Sequence, residues 1–325
     1  MSKFNDYQEE LIGYNLLRKT DIEALHEATL NLMENYGVKI YGENAREILH
    51  GAGCKIDKAS KLVKFPRSLV NDAIESCPAE FTAYGRIPER DLQVGGKNVL
   101  FTNFGTGVDI LDPYTNELRS TTKEDLASVT RVCDAIDEVD AFTVAVVAQD
   151  VNPELKCLHE AEAIFHNTTK HVFHDPDGGA KNVHDVIEIA AAVVGGKDKL
   201  LERPFVTLGC TTNSPLEVHE GASDIIIESA RTGLPINILS MGLSGGTTPV
   251  TLAGTLVVCN AEILAGIILA QVVRKGIPVY YASSTTIMDL TLTTSPVGAP
   301  EHAMVGAAIG HLGHYYGIPT YVGGT

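Results

Sequence analysis

Hydrophobic and polar positions fall into two textures along this chain, and the change comes near Thr122. Downstream of it, stretches with apolar residues at three- and four-residue spacing alternate with short, almost wholly apolar runs. The first kind predicts helices and the second buried strands. Lys123–Ile136 leads to AFTVAVVAQD (141–150), Pro153–Asn167 to KHVFHD (170–175), and Lys181–Val194 to PFVTLGCTTN (204–213). Glu217–Thr232 leads to PINILSMG (235–242), and a long helix over Pro249–Val273, with Thr248 as its N-cap, leads to IPVYYASS (277–284). The last pair is Pro300–Tyr316 and IPTYVGG (318–324). Several strands open on a proline (Pro204, Pro235, Pro278, Pro319), where a missing N–H donor costs least.

Upstream the chain is charge-rich. Helical patterns over Thr20–Tyr36, Gly42–Gly51 and Pro66–Ser76 precede short runs broken by turns, among them FTAYGR and LQVGGKNVLFTN. In VDILDPYTNEL the alternation around Asp-Pro and Thr-Asn predicts a hairpin. Residues 1–122 therefore read as an N-terminal α+β region and residues 123–325 as the repeating part.

Apolar strands alternating with helices imply a parallel sheet covered on both faces. Two α/β architectures compete, an open doubly wound sheet and a (β/α)8 TIM-type barrel. No G-x-G-x-x-G follows the first strand, which weakens the dinucleotide-binding version of the former. About six βα units occupy roughly 200 residues, whereas a closed barrel typically takes about 250. As a barrel the sequence is incomplete, with its C-terminal units missing. Its first and sixth strands would be open edges, and the piece alone is expected to be poorly soluble or loosely folded, and inactive.

Charge narrows the partners. With 25 Lys and Arg against 41 Asp and Glu, the net charge of -16 excludes nucleic acid, whose phosphates demand a basic surface. The start, MSKFNDYQEELIGYN, is polar and acidic and is no signal peptide, and the six cysteines are scattered without a C-x-x-C pair. A cytoplasmic protein with reduced thiols follows. Residues 249–273 are long enough to cross a membrane, but Asn260 and Glu262 interrupt them, so they read as a buried helix rather than a span. Its apolar surface exceeds what one barrel wall needs, which predicts a homo-oligomer.

In a barrel the chemistry sits at the C-terminal ends of the strands. Those ends read Gln149-Asp150, His174-Asp175, Thr211–Ser214, Ser240–Gly242, Ser283–Thr285 and Gly323–Thr325. They are rich in hydroxyls and amides and hold no lysine for a Schiff base. In SMGLSGGTTP (240–249), Gly242, Gly245 and Gly246 either let the backbone approach a ligand or make a tight turn that binds nothing. Glu301, in the first turn of a helix, is either a cap or an acid facing the mouth. The candidate catalytic residue is Glu301. Candidates facing a ligand are Asp150, His174, Asn213, Ser240, Gly242, Gly245, Gly246, Ser284, Asp289 and Tyr281, although only one of Tyr280 and Tyr281 points inward. No metal is expected. His171 and His174 fall on opposite faces of a strand, and of His302, His311 and His314 only the last two share a helix face.

TTPVTLAGTLVVCNAEILAGIILAQ, VGAPEHAM and HNTTKH closely resemble the trimethylamine methyltransferase family of corrinoid-dependent enzymes. HEATLNLMENYGVKI, AREILHGAGCKID, YGRIPERDLQVGG and DILDPYTNELRSTTKEDL fit it too, so the resemblance covers essentially the whole chain. It implies a (β/α)8 barrel that moves a methyl group from a methylated amine to the cobalt of a corrinoid (cobalamin) carried by a separate protein. No cofactor would then be bound tightly by this chain, and the candidate residues would face the amine and the partner's corrinoid. Trimethylamine-using members carry pyrrolysine shortly beyond the strand where this sequence stops, whereas relatives without it use other amines such as glycine betaine. Two other functions compete: a truncated barrel that binds a small amine without turnover, and a metal-dependent TIM-barrel lyase or hydrolase.

Overall fold

The computed structural model describes residues 16–323. The polar N-terminal stretch read above, and Gly324 and Thr325 of the strand-end rim, lie outside the described residues. The first part of the chain forms α1 (Lys19–Asn35), β1 (Val38–Ile40), α2 (Glu43–Gly51), β2 (Lys55–Asp57), β3 (Leu62–Lys64), α3 (Arg67–Ser76), β4 (Glu80–Ala83) and β5 (Leu92–Gly95). Then come β6 (Asp109–Leu111), β7 (Leu118–Ser120), α4 (Lys123–Ala135), β8 (Ala141–Thr143), α5 (Lys156–Asn167), β9 (His171–His174), α6 (Ala180–Val194), α7 (Lys197–Glu202) and β10 (Val206–Thr211). The remainder is β11 (Glu217–Val218), α8 (Glu220–Thr232), β12 (Ile236–Ser240), β13 (Leu243–Ser244), α9 (Leu252–Val273), β14 (Val279–Ser283), β15 (Thr286–Ile287), α10 (Pro300–Tyr316) and β16 (Thr320–Val322). Contacts group these into two compact units: Met1–Glu80 with Cys210–Arg231 and Ile236–Thr325, and Phe81–Gly209 with Thr232–Pro235.

In the first unit β12, β14 and β16 are parallel neighbours in chain order, and Thr212, one residue past β10, donates its N–H to Leu239 of β12. Helix α9 packs on β12 and β14 and is covered by α1, α2, α3 and α10. Of its most apolar 18-residue window, 83% is buried. Sequence suggested an oligomer interface here. The apolar excess is instead taken up by the chain's own N-terminal helices, which removes that ground for self-association. Helix α9 also starts later than the expected Pro249: Thr251 is the N-cap, its hydroxyl accepting from Gly254 N, because residues 243–250 are held in a turn.

Asn260 and Glu262, the two polar residues that interrupt α9, point about 200° apart because each helical residue advances about 100°. Asn260 donates to Thr29 Oγ1 of α1 (3.0 Å) and to the Tyr316 hydroxyl of α10 (2.7 Å), and accepts from the Tyr281 hydroxyl of β14 (2.8 Å). A buried amide so placed permits one register of helices against strand and penalises the others.

The second unit holds β8, β9 and β10, again parallel and in chain order. A doubly wound sheet reverses its strand order, a barrel does not; the fold is the α/β TIM-type barrel. The edge of β8 expected to be open is not. Residues 101–107 run parallel to it, with Thr102 bridging Ala141, Gly107 bridging Val146, and Asn103 exchanging hydrogen bonds with the Thr143 backbone. Gly105 lies so close to Val144 O that a Cβ has no room. The chain thus supplies a seventh parallel segment ahead of α4, one more than the six units read from the hydrophobic pattern. The expected hairpin is β6–β7, its turn closed by Asp112 accepting from Tyr114 N and Thr115 N. Arg119 ties this hairpin to Asp125, the third residue of α4 and the partner of Thr122 in its capping box.

Candidate functional site

In the first unit the strand-end loops are fastened by one helix residue. Glu262 is fully buried, and its carboxylate accepts from Thr212 Oγ1 (3.1 Å), Ser214 Oγ (2.9 Å), Leu216 N (2.8 Å) and Ser240 Oγ (2.7 Å). Burial raises its pKa, and the four donors offset only part of that rise. Leu216 N–H can only donate, so Oε1 must be an acceptor. The neighbouring Cys259 thiol is pushed up to about 11 by burial with the Glu262 charge adding, so it stays protonated and unreactive. Sequence showed Glu262 as a lone charge in an apolar helix; its partners, up to 50 residues away, were not readable from spacing.

The glycine loop is rigid and filled from within. Leu243 O accepts from the backbone N–H of Gly246, Thr247 and Thr248, and β13 pairs in parallel with β15. A Cβ at Gly242 would meet Thr248 Cγ2 at 2.7 Å and Cys259 Sγ at 3.0 Å, and one at Gly246 would strike the Met288 sulfur. Gly245 has φ +84, which L side chains avoid. The close approach that Gly242 and Gly246 permit is to the protein's own side chains.

Register decides which faces the other candidates present. Ser240 reaches Glu262 and Tyr281 reaches Asn260, so both turn to α9, while Leu239, Tyr280 and Ala282 take the opposite face of the ladder. Ser284 is half-buried and extends this opposite face one step beyond Ala282. Asn213 is exposed and exchanges backbone hydrogen bonds with Glu217. Asp289 closes a local turn, accepting from Thr291 N and Leu292 N. Glu301 is half-buried in the first turn of α10. Beside it, His302 is buried; its Nδ1–H donates to Thr285 O (3.0 Å), leaving Nε2 as an unpaired acceptor against Gly323.

In the second unit Asp150 accepts from Lys123 N and caps α4. His171 is neutral and fully bonded: Nδ1–H donates to Tyr84 O, and Nε2 accepts from the Thr207 hydroxyl. His174 lies on the other face, against Phe165 of α5, completely buried, with no hydrogen bond of acceptable geometry to either ring nitrogen. Burial lowers both histidines to about 4. The next residue, Asp175, returns to the face of His171, Phe173 and Thr207, and its carboxylate lies directly over Gly209 of β10. Asp175 is exposed, and the protein packed around it raises its pKa to about 6, the charge of Asp177 adding. Asp175 stood in the strand-end rim but was passed over for His174; only the observed register tells them apart.

The profile of the trimethylamine methyltransferase (MTTB) family matches residues 2–325. Trimethylamine methyltransferase MttB of Desulfitobacterium hafniense (strain DSM 10664 / DCB-2) is 48% identical over 314 residues, which is 96% of this chain and 63% of that protein. MttB of Methanosarcina thermophila is 38% identical over 320 residues, 97% of this chain and 66% of its own length. Glycine betaine methyltransferase of Desulfitobacterium hafniense (strain Y51) is 31% identical over 312 residues, 96% and 64% respectively. The chain thus spans just under two thirds of these relatives. The crystal structure of Methanosarcina barkeri monomethylamine methyltransferase (MtmB) aligns with 92% of this chain and 60% of that one, with a TM-score of 0.61 at 12% identity, a likeness of fold. The match along the whole chain, joined to this fold, makes the protein a member of the trimethylamine methyltransferase family.

Proposed function

We propose that the full-length protein transfers a methyl group from a methylated amine to the cobalt of a corrinoid carried by a partner protein. The observation that carries this reading is the similarity, along almost the whole chain, to trimethylamine and glycine betaine methyltransferases. The higher identity to the trimethylamine enzyme favours a tertiary amine over a quaternary one.

The site's chemistry supports it. Thr212, Ser214 and Ser240 spend their hydroxyl protons on Glu262, and the Cys259 thiol is held protonated, so these groups are not activated nucleophiles. The corrinoid would supply the nucleophile. What this chain's residues then do is place the amine and balance its charge. Glu262 fixes the loops after β10 and β12 so that their backbone does not have to be ordered by substrate. Glu301 sits where the free N–H groups of the α10 start stabilise a carboxylate, and we assign it the acidic role nearest the reacting amine.

The test is methyl transfer from trimethylamine, dimethylamine, monomethylamine and glycine betaine to reduced cobalamin or a corrinoid protein, followed by the cobalt absorption spectrum. Methylation by one amine is expected, with Glu301→Gln slower by about a hundredfold if its carboxylate positions the ammonium group. Transfer from none of them would overturn the proposal, and an unchanged Glu301→Gln would remove that residue from it.

A further inference from the structure

We infer that Asp175 is a binding residue for the positive charge of an alkylated ammonium ligand. This rests on the proposed amine chemistry and deepens it, by naming the residue that reads the charge.

Position comes first. β9 ends at His174, and alternation turns His171, Phe173 and Asp175 to one face and Val172 and His174 to the other. The second face packs on α5. The first continues across β10 through Thr207 and Gly209, and the Asp175 carboxylate occupies the space where a side chain at 209 would be. Glycine at that one position is what seats the carboxylate on the sheet at the active-site end of its strands.

Partners come second. Lys156 Nζ bonds the neighbouring carboxylate, Asp177, at 2.9 Å rather than Asp175. Among the described residues no hydrogen bond or ion pair is made to Asp175. The carboxylate is exposed, held in place over Gly209, and therefore free to pair with a cationic ligand. Buried Phe173, two residues earlier on the same face, supplies an apolar floor, which suits methyl-bearing nitrogen better than a hydrated metal ion or ammonia.

The expected kinetic signature follows from charge. Methyl transfer leaves the departing amine neutral, so a carboxylate facing the ammonium stabilises the bound substrate at least as much as the transition state. Its removal should therefore raise KM and leave kcat unchanged or slightly higher.

The experiment compares wild-type and Asp175→Asn protein, an isosteric change, by calorimetric titration with choline and with its neutral shape match 3,3-dimethylbutan-1-ol. Wild type should bind choline about tenfold more tightly than the alcohol, and Asp175→Asn should bind the two alike. The choline preference should also fade as pH drops below about 6 in wild type only. The charged and titratable neighbours Asp177, Lys156, Glu160, Cys157, His171 and His174 are the same in both proteins, so a step missing from the variant belongs to Asp175. Equal choline preference in wild type and variant overturns the inference while leaving the methyltransferase reading intact, which the amine panel tests separately. A wild-type protein that binds none of these ligands and methylates no corrinoid overturns both.

Discussion

The buried polar groups of α9 and the polar residues at the end of β9 are treated in opposite ways. Asn260 has each side-chain polar atom engaged, and Glu262 accepts from four donors. At the end of β9, among the described residues, neither ring nitrogen of buried His174 makes a hydrogen bond of acceptable geometry, and exposed Asp175 has no ion-pair partner. A satisfied buried group holds a fold in register, whereas an unsatisfied one keeps a solvation penalty that something else must relieve. The contrast separates scaffold from site without any knowledge of the reaction.

Breaking the scaffold should give the largest effect. Glu262→Leu leaves Leu216 N–H and three hydroxyls without their acceptor, and a loss of about 3–5 kcal/mol is expected in urea unfolding. Glu262→Gln keeps the shape and one acceptor oxygen, and should lose less than half as much. Equal losses would show that volume, not hydrogen bonding, is what Glu262 provides. Next comes Asn260→Leu, which leaves the Tyr281 hydroxyl without its acceptor and removes one donor each from Thr29 and Tyr316, whose hydroxyls still meet Leu25 O and His26 Nδ1, and should cost about 2 kcal/mol. A double-mutant cycle with Tyr281→Phe should show coupling of about 1 kcal/mol, and additivity would sever the pair.

How much of this contrast was legible in the sequence depends on range. Helices, strands and their alternation are written in local periodicity, so Arg67–Ser76, Lys123–Ala135 and Pro300–Tyr316 lie within one residue of expectation. The parallel segment 101–107, FTNFGTG, was missed because it is glycine-rich, half polar, and leaves Phe101 and Phe104 exposed; only its pairing with β8 makes it strand-like. Site residues suffered most from register. A shift of one position exchanges Tyr281 for Tyr280 and His174 for Asp175, and alternation fixes the difference but not which face is inward. Glu262 was visible as a charge, but its donors come from loops that only the fold brings together.

A smaller effect should come from pH. His174 is held neutral with its pKa lowered to about 4 by burial, against 6.5 in the unfolded chain. Between those values the unfolded state binds more protons, so stability is full above about 6.5 and falls as pH drops towards 4. His171 and His26, lowered in the same way, add to the slope. His174→Phe replaces an unpaired ring by an apolar one beside Phe165. At pH 5 it should be about 2 kcal/mol more stable relative to wild type than at pH 7.5. A constant difference between the two pH values would mean that His174 finds a partner in solution.

The smallest effect is the most diagnostic, because its sign runs against the usual outcome of mutation. Asp175 has its pKa raised to about 6 from 3.8, so the folded state holds that proton more tightly than the unfolded chain does. Any stability this lends is present at acid pH and is lost as pH rises through about 6, leaving an ionised carboxylate with Asp177 as its charged neighbour. Asp175→Asn removes the charge without changing the shape. At pH 7.5 it should therefore stabilise the protein, by about 0.5 kcal/mol because solvent reaching the side chain screens most of the penalty. At pH 4 the two proteins should unfold at the same urea concentration. A substitution that steadies the fold while weakening ammonium binding is what a residue kept for its ligand produces. Were Asp175→Asn instead less stable at pH 7.5, Asp175 would have to be bonded within the protein, and the carboxylate would belong with Glu262 on the scaffold side of the comparison.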